Sequence, residues 1–464
     1  MLNAAPPFPI SHHQGPASIL QRLCAQSAPG DHSVTRLRYG LVRPRLSPSR
    51  VLDRAQAERR AAYALFGPDG QGFIACGVLD EGRGVDLGAL APRRPRRVDA
   101  GLARGPEVVF GGAFSTTAPD AQGPWARWPV ALWRAPETVF SFCSHDRKQV
   151  VTGSVDLTAT GDPRVAAQRL YDRLNWPQRP SPWSGVAQRP SAIAEEPRAR
   201  WCQRVQRIRA ACGDARLHKV VAARALRHEA PPGASFWVGA TFDALRRAHP
   251  EATVFAVVHE GQAMVGATPE RLASLRGRAL STHALAGTAP RGVDAHQDRA
   301  LGEALLGSAK DRHEHQIVVD AIAAALSEVG QDVRCGPISV RRLSGLQHLE
   351  TPLTAQMGPE GFLGAVGHLH PTPAVGGAPR AAALAWLRQT EPLDRGWYGG
   401  PIGWLEDDRA ECVVAIRSAL LHRRQAWTFA GAGIVAESDP VAEWAETTLK
   451  LQTAGDALRL GRLR

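Results

Sequence analysis

The polar and apolar positions divide the chain into two unlike regions. Residues 1–174 hold short apolar runs such as "ALWRAPETVFSF" (131–142), interrupted by Gly, Pro and Arg. Runs of that length predict short strands joined by turns. One helix is predicted there, over "PRVAAQRLYDRL" (163–174). The stretch 175–197 is rich in Pro and Ser and reads as a linker. Beyond it the patterns lengthen. "PRARWCQRVQRIRAAC" (197–212) predicts a helix, while "KVVAARAL", "TVFAVVHE" (253–260) and "QAMVGAT" (262–268) predict strands. Residues 298–330 carry one long helix or two consecutive ones, stopped at Gly330. Two further helices are expected around 361–390, then strands at "GWYGGPIGWLE", "ECVVAIRSALL" and "AWTFAGAGIV". The last helix opens at Asp439-Pro440, a helix-start signal. Strand groups separated by helix pairs predict an α/β chain of the α+β type, a large layered fold with mostly antiparallel sheets flanked by helices.

Composition narrows the functional classes. The chain has 464 residues, 44% hydrophobic and 22% charged, as ordinary globular proteins do. Its seven cysteines are scattered with no CxxC pair, which argues against a structural zinc site and a disulfide framework and fits a reducing cytoplasm. The N-terminus lacks the charged and apolar regions of a secretion signal. No apolar run approaches the ~18 residues a membrane helix needs. The net charge of +12 is spread along the chain. Basic runs such as "APRRPRR" (91–97) are short, Pro-broken and lack interleaved aromatics. No nucleic-acid and no membrane partner is therefore expected, although the charge helps attract a small anion.

One bias in that charge matters. Only four of the 56 basic residues are lysine: Lys148, Lys219, Lys310 and Lys450. Arginine stays charged in proteins, whereas lysine can lose its proton when buried and act as a base. A lysine retained among so many arginines marks a place where that difference could count. Lys310 precedes Glu314 by four residues, and Lys450 follows Glu446 by four. Glu443 and Glu446 are spaced i, i+3 and share a helix face. These are either ordinary surface pairs, each contributing about 0.2–0.5 kcal/mol, or parts of a hard-metal site of the kind Mg²⁺ occupies.

Other candidates stand alone. The triplet His313-Glu314-His315 cannot hold one zinc ion, because consecutive helical residues point apart. Gly431, Gly433 and Ala436 match a dinucleotide fingerprint, but the second strand and its acidic residue are missing. Those glycines instead suggest backbone amides open to a carboxylate. Glu270, after Pro269 at a strand end, is a turn glutamate or a general acid raised from its usual ~4.3 by burial. Gly287 and Thr288 are expected in a turn that cradles a carboxylate. His348 and Thr351 fall in "LQHLETP", and Tyr398 between glycines. Arg417, read as part of an apolar strand, needs an anion: a protein carboxylate or a substrate's.

The stretches "HKVVAAR", "GATPERL", "ALAGTAPRG", "SAKDRHEHQIVVDAI", "LQHLETP", "LHPTPAVGG", "DRGWYGGPIGW", "VAIRSAL" and "AGAGIVAESDPVAEWAETTLK" follow one another between about 215 and 455. In that order the chain resembles the chorismate-utilising enzymes, and among them the isochorismate synthases. The resemblance divides the chain into a variable N-terminal part (1–174), the linker (175–197) and a catalytic chorismate-binding region (198–464). It implies a Mg²⁺-dependent isomerisation in which water adds at C2 of chorismate and the C4 hydroxyl leaves. Lys219 then corresponds to the base that activates water, and Glu270 to the acid. The shifts this requires are opposite, Lys219 down from ~10.4 and Glu270 up. Glu314 and Glu446 correspond to metal ligands, with Glu443 and Asp311 assisting. Gly287, Thr288, His348, Tyr398, Arg417, Gly433 and Lys450 match substrate-binding positions. Ammonia-using relatives carry Gln where this chain has Lys219, and one group has a nucleophilic Lys at the position of Ala286. Water is thus the expected nucleophile, and no glutaminase subunit is expected. Salicylate synthases share the lysine but go on to expel pyruvate, and differ around 369–377. Isochorismate is the common precursor of menaquinone, catechol siderophores and salicylate.

Overall fold

The computed structural model describes residues 36–44, 47–90, 92, 97–101, 105–142, 148–156, 181–194, 196–214 and 217–463, with six positions between 164 and 172. Much of the helix expected over 163–174 and of the basic run at 91–97 lies outside these residues, as do the N-terminal stretch, Cys24 and Cys143. The described positions between 164 and 172 are helical. Among the described residues no helix is long and apolar enough to cross a membrane.

Two large sheets, of 13 and 10 strands, are stacked with helices on their outer faces. The strand pairs are antiparallel, save Arg36–Pro44 with Arg97–Gly101. Period-2 alternation explains the layering. In Ala62–Phe66, the side chains of Ala62, Ala64 and Phe66 join an outer core under the helices Pro48–Ala57 and Val238–Ala248. Tyr63 and Leu65 face the opposite sheet, in a core shared with Leu132, Val413 and Phe429. Thr253–His259 alternates the same way, with Val254, Ala256 and Val258 outside and Phe255 and Val257 inside. Both faces of these strands are buried, so they read as continuous apolar runs. A third core covers the other sheet beneath the helices Ala309–Val329 and Gly361–Leu369.

The two halves of the sequence are interleaved. Ala62–Phe66 pairs with Thr253–His259, and Val108–Gly112 pairs with Pro401–Leu405. The stretch read as a linker is also structured in part: Trp183–Val186 pairs with Leu460–Leu463, and Ser191–Ala194 pairs with the Lys219–Glu229 strand. Its serine and proline content hid two edge strands too short to show a period.

Three local features bear on function, the first among the alternatives the sequence allowed and the other two corrections to it. Residues 298–330 form two helices, Ala295–Gly307 and Ala309–Val329, separated by Ser308, which caps the second by accepting from Asp311 N. The apparent single strand "ECVVAIRSALL" is two strands, Arg409–Val414 and Ser418–His422, lying in different sheets. Between them Arg417 adopts φ 52°, a left-handed conformation that turns the chain from one sheet to the other. Gly287 lies inside the strand Ala279–Pro290, not in a turn; at φ 74° it makes a bulge where pairing with Leu346–Met357 shifts between Ala286 and Thr288.

The Lys219–Glu229 strand positions the chemistry. One edge pairs with Gln425–Ile434 throughout. The other is paired only at its ends, with Gly377–Ala378 at Lys219 and Val220 and with Ser191–Ala194 from Leu226 onward. Side chains fill the gap. Arg395 donates to Val221 O at 2.6 Å, Arg204 donates to Ala223 O at 2.9 Å, and Glu391 accepts from Ala223 N at 3.1 Å. Both arginines are held bidentately, Arg395 by Glu391 and Arg204 by Glu196.

Candidate active site

On the Lys219 strand, Ala223 and Ala225 point into the core between the sheets. Lys219 and Val221 share that face and line a pocket where the core turns polar. The opposite wall comes from the other sheet: Leu285, Ala286, Gly287 and Thr288 at the bulge, and His348. Tyr398, Arg417, Phe429, Gly431 and Gly433 complete the sides, and Asp311, Glu314, Glu443, Glu446, Lys310 and Lys450 reach in from two helices. Every residue singled out from the sequence as catalytic, substrate-binding or metal-binding lines this one pocket.

Lys219 is 1% exposed, and its Nζ lies 2.8 Å from Glu314 Oε1. Room for the pair exists because residue 433 is glycine. A Cβ there would sit 2.5 Å from Lys219 Cε and 2.6 Å from Glu314 Oε1. Burial works to raise the Glu314 pKa, but the charge and hydrogen bond of Lys219, with Lys310 and Lys450 behind, bring it below the ordinary carboxylate range.

Glu270 sits where the chain crosses between sheets, after the strand Gln262–Thr268 and before Arg271–Arg276. Its amide donates to Thr268 Oγ1 at 3.1 Å and its carbonyl accepts from Val414 N at 3.0 Å, which fixes the backbone. The side chain is buried, and burial pushes its pKa up to about 7 against the lowering pull of Thr372, Lys219, Lys450 and Arg417. Glu270 is therefore a buried carboxyl rather than an exposed turn glutamate.

His348 has an assignable tautomer. Its Nδ1 lies 3.1 Å from Gly287 O, which can only accept, and its Nε2 lies 3.4 Å from Arg417 Nη2, which can only donate. The ring is therefore neutral with the proton on Nδ1. Burial and then Arg417 hold its pKa well below the usual value, in agreement. Arg417 also donates to Thr453 Oγ1 at 3.4 Å. Burial lowers its pKa to about 10. Among the described residues it makes no ion pair with a carboxylate, although it is 9% exposed. Of the two anions the sequence allowed for, a protein carboxylate is not found among the described residues. Tyr398 stacks on Phe429, ring centroids 5.2 Å apart, and burial raises its phenol.

The acidic residues depart from expectation in arrangement. Lys450 Nζ does lie 2.5 Å from Glu446 Oε1 and also donates to Gly431 O at 3.0 Å. Lys310, however, does not pair with Glu314 along its own helix. Its Nζ lies 3.5 Å from Glu443 Oε1 on the C-terminal helix, Pro440–Gly455. Burial disfavours the Lys310 ammonium, but Glu443, Glu314, Asp311 and Glu446 together raise its pKa. Glu443 is raised to about 7 by burial and then by the charge of Glu446. The Asp311 carboxylate is taken by the Ser308 hydroxyl at the helix start. Among the described residues no three His, Cys, Asp or Glu side chains gather to hold a metal ion. Each glutamate is instead drawn toward its own ammonium: Glu314 to Lys219, Glu443 to Lys310, Glu446 to Lys450. His313 is exposed, while His315 is buried against Thr351 Oγ1 at 2.8 Å.

Sequence reasoning missed three contributors. Thr372 touches Glu270, and Arg395 with Glu391 supports the Lys219 strand. Thr372 at least lay within a quoted motif. Nothing in the spacing of Glu391 and Arg395 linked them to a strand some 170 residues earlier.

Fold and pocket together define a class: a double-sheet α+β protein whose interior ends in a buried amine and a raised carboxylic acid beside a guanidinium suited to an anion. The family model described as chorismate binding enzyme matches residues 97–459, and the chain belongs to that family. It is 42% identical over 290 residues to the salicylate biosynthesis isochorismate synthase of Pseudomonas aeruginosa, covering 62% of this chain and 60% of that protein. It is 42% identical over 211 residues to isochorismate synthase MenF of Bacillus subtilis, covering 44% of each. The matched portions thus span less than two thirds of both relatives. The solved structure of MenF, the menaquinone-specific isochorismate synthase from Escherichia coli, shares the fold with a TM-score of 0.75 at 23% identity, over 94% of this chain and 99% of that one.

Proposed function

We propose that the protein is an isochorismate synthase, a Mg²⁺-dependent isomerase acting on chorismate. One observation carries this reading. Lys219 and Glu270, both buried, line the same pocket as Arg417, a guanidinium without a carboxylate partner among the described residues. Arg417 receives a carboxylate of the substrate by paired hydrogen bonds, and Thr288 and the Gly287 bulge shape the facing wall. In this reading Lys219 Nζ takes a proton from water while the water oxygen bonds to C2. The ring double bonds shift, the C4–O bond breaks, and the Glu270 proton goes to the departing hydroxyl, which leaves as water. One water enters and one leaves, so the net change is isomerisation. A carboxyl raised to about 7 has the proton this step needs.

Glu314, Glu443 and Glu446 all line the pocket and, once released from their lysines, would supply the carboxylate oxygens that Mg²⁺ prefers, with Asp311 assisting. The ion, when bound, supplies positive charge against the substrate's other carboxylate. Gly433 keeps the floor open for both Glu314 and Lys219. With water as nucleophile no glutaminase subunit is needed. The described cysteines at 76, 202, 212, 335 and 412 are free, which fits the reducing cytoplasm we propose as its location.

Incubating the purified protein with chorismate and Mg²⁺ tests the reading. Isochorismate without pyruvate is the expected product. Salicylate with stoichiometric pyruvate would instead identify a salicylate synthase, and unconsumed chorismate would end the proposal.

A further inference from the structure

The segment from His370 to Pro379 touches both reacting groups. Its carbonyl at Thr372 accepts from Val375 N at 3.1 Å and Gly376 N at 2.8 Å, closing a tight turn. Downstream, Gly376 O accepts from Val221 N at 3.0 Å, Ala378 O accepts from His218 N at 2.8 Å, and Gly377–Ala378 pairs with Val220 and Lys219. The segment is thus bonded to the backbone on both sides of the base. At its start, buried Thr372 directs its hydroxyl to Glu270 Oε1 at 3.4 Å.

We propose that Thr372 is a positioning residue for Glu270, fixing which carboxyl oxygen carries the transferable proton. This rests on the acid role proposed for Glu270. A protonated carboxyl has one carbonyl oxygen and one hydroxyl oxygen, and a donor favours the carbonyl one. Donation from Thr372 into Oε1 therefore assigns the proton to Oε2. Without that contact the proton can occupy either oxygen, and half of the orientations are unproductive. The other groups facing the carboxyl are Lys219 on its strand, Lys450 on the C-terminal helix, Arg417 at the sheet crossing and the Tyr398 phenol. The three cations act by charge and do not distinguish the two oxygens by a hydrogen bond. Among the described residues, Thr372 is the neutral donor of the set that makes a hydrogen bond to the carboxyl.

Thr372→Val keeps the shape and removes the donor; Thr372→Ser restores it. The expected result for Val is a fall of about 2-fold in kcat, since half of the protonated population then carries its proton on the wrong oxygen, with a smaller change in KM. The alkaline limb of the kcat–pH profile moves to higher pH, because a hydrogen bond that favours the ionised carboxyl is lost. Ser returns both values toward wild type. A fall in kcat with the limb unmoved, or no rescue by Ser, overturns the proposal in favour of simple packing. Infrared titration of the ligand-free protein separates this from the activity itself. The protonated-carboxyl band absent from Glu270→Gln should shift to higher frequency in Thr372→Val and persist to higher pH. If the band moves in a protein that makes no isochorismate, the positioning stands and the assigned reaction fails. If isochorismate forms and the band does not move, the positioning is overturned.

Discussion

Two charged networks meet at the Lys219 strand, and they are built from different residues. Along its unpaired edge, Arg204 and Arg395 are each held bidentately by a carboxylate and each donate to a strand carbonyl. Arg395 donates through all three of its nitrogens, whereas Arg204 donates through Nε and Nη2 and keeps Nη1 3.7 Å from Glu391 Oε2. In the pocket, three lysines each meet one glutamate through a single close contact. Arginine's planar fork suits permanent pairing, whereas lysine is a compact charge that can shift partners or lose its proton. Around this strand the cations locked into structural pairs, Arg204 and Arg395, are arginine, and the cations that meet glutamates in the pocket are lysine, while Arg417 faces the same pocket as a guanidinium left for an anion. The contrast separates scaffold from chemistry within a few residues of one strand.

The sharpest way to break that contrast is Lys219→Arg. It preserves the charge beside Glu314 but not the ability to take a proton, so turnover should fall by about 10²–10⁴, as far as in Lys219→Ala, with circular dichroism unchanged. Near-normal activity in the Arg variant would erase the distinction. The converse experiment is Glu391→Ala, which leaves Arg395 buried without its partner. Here the loss should be in stability, about 3–5 kcal/mol, read by denaturant unfolding. If that variant unfolds like wild type yet loses activity, the arginine network belongs to the chemistry.

Smaller effects sharpen the picture. Activity should decline as pH rises through about 7, where Glu270 loses its proton, and Glu270→Gln should show low activity without that limb. The same carboxyl has a linkage consequence. Its pKa is raised from 4.5 to about 7 on folding, so the stability it contributes is present below 4.5 and lost as pH passes through 7. Glu270→Gln should therefore exceed wild type in thermal stability above pH 7 and lose that advantage near pH 4.5. Finally, Glu446→Gln should raise the Mg²⁺ concentration for half-maximal activity by ~10-fold. An unchanged requirement would remove Glu446 from the ligand set.

Much of the site was legible because its residues lie in local motifs and because lysine is rare here. Lys219 stood out by its rarity and the two carboxylate helices by their spacing, while Glu270 and the roles of all of them rested on the resemblance. What was not legible depended on partners remote in sequence. One of the two readings paired Lys310 with Glu314 along its own helix, but the facing helix brings the buried Glu443 into reach. Arg417 was read as mid-strand, because the apolar run "CVVAIRSAL" continues unbroken where the chain changes sheets. Gly287 was read as a turn, since a bulge inside a long strand has the same glycine signature. The two edge strands at 183–194 were hidden by composition. The layered fold itself was readable, because strands buried on both faces and long amphipathic helices leave distinct patterns.

The two sheet crossings are bonded to each other: Ala267 N donates to Arg417 O at 3.2 Å, and Val414 N donates to Glu270 O at 3.0 Å. Glu270 and Arg417, the proposed proton donor and anion receptor, are thereby riveted into one joint between the layers. Should thermal motion or a crowded neighbour make one sheet slide over the other, both groups travel together. The spacing that a ring-shaped substrate must match is insulated from shear, even though each group hangs from a different strand.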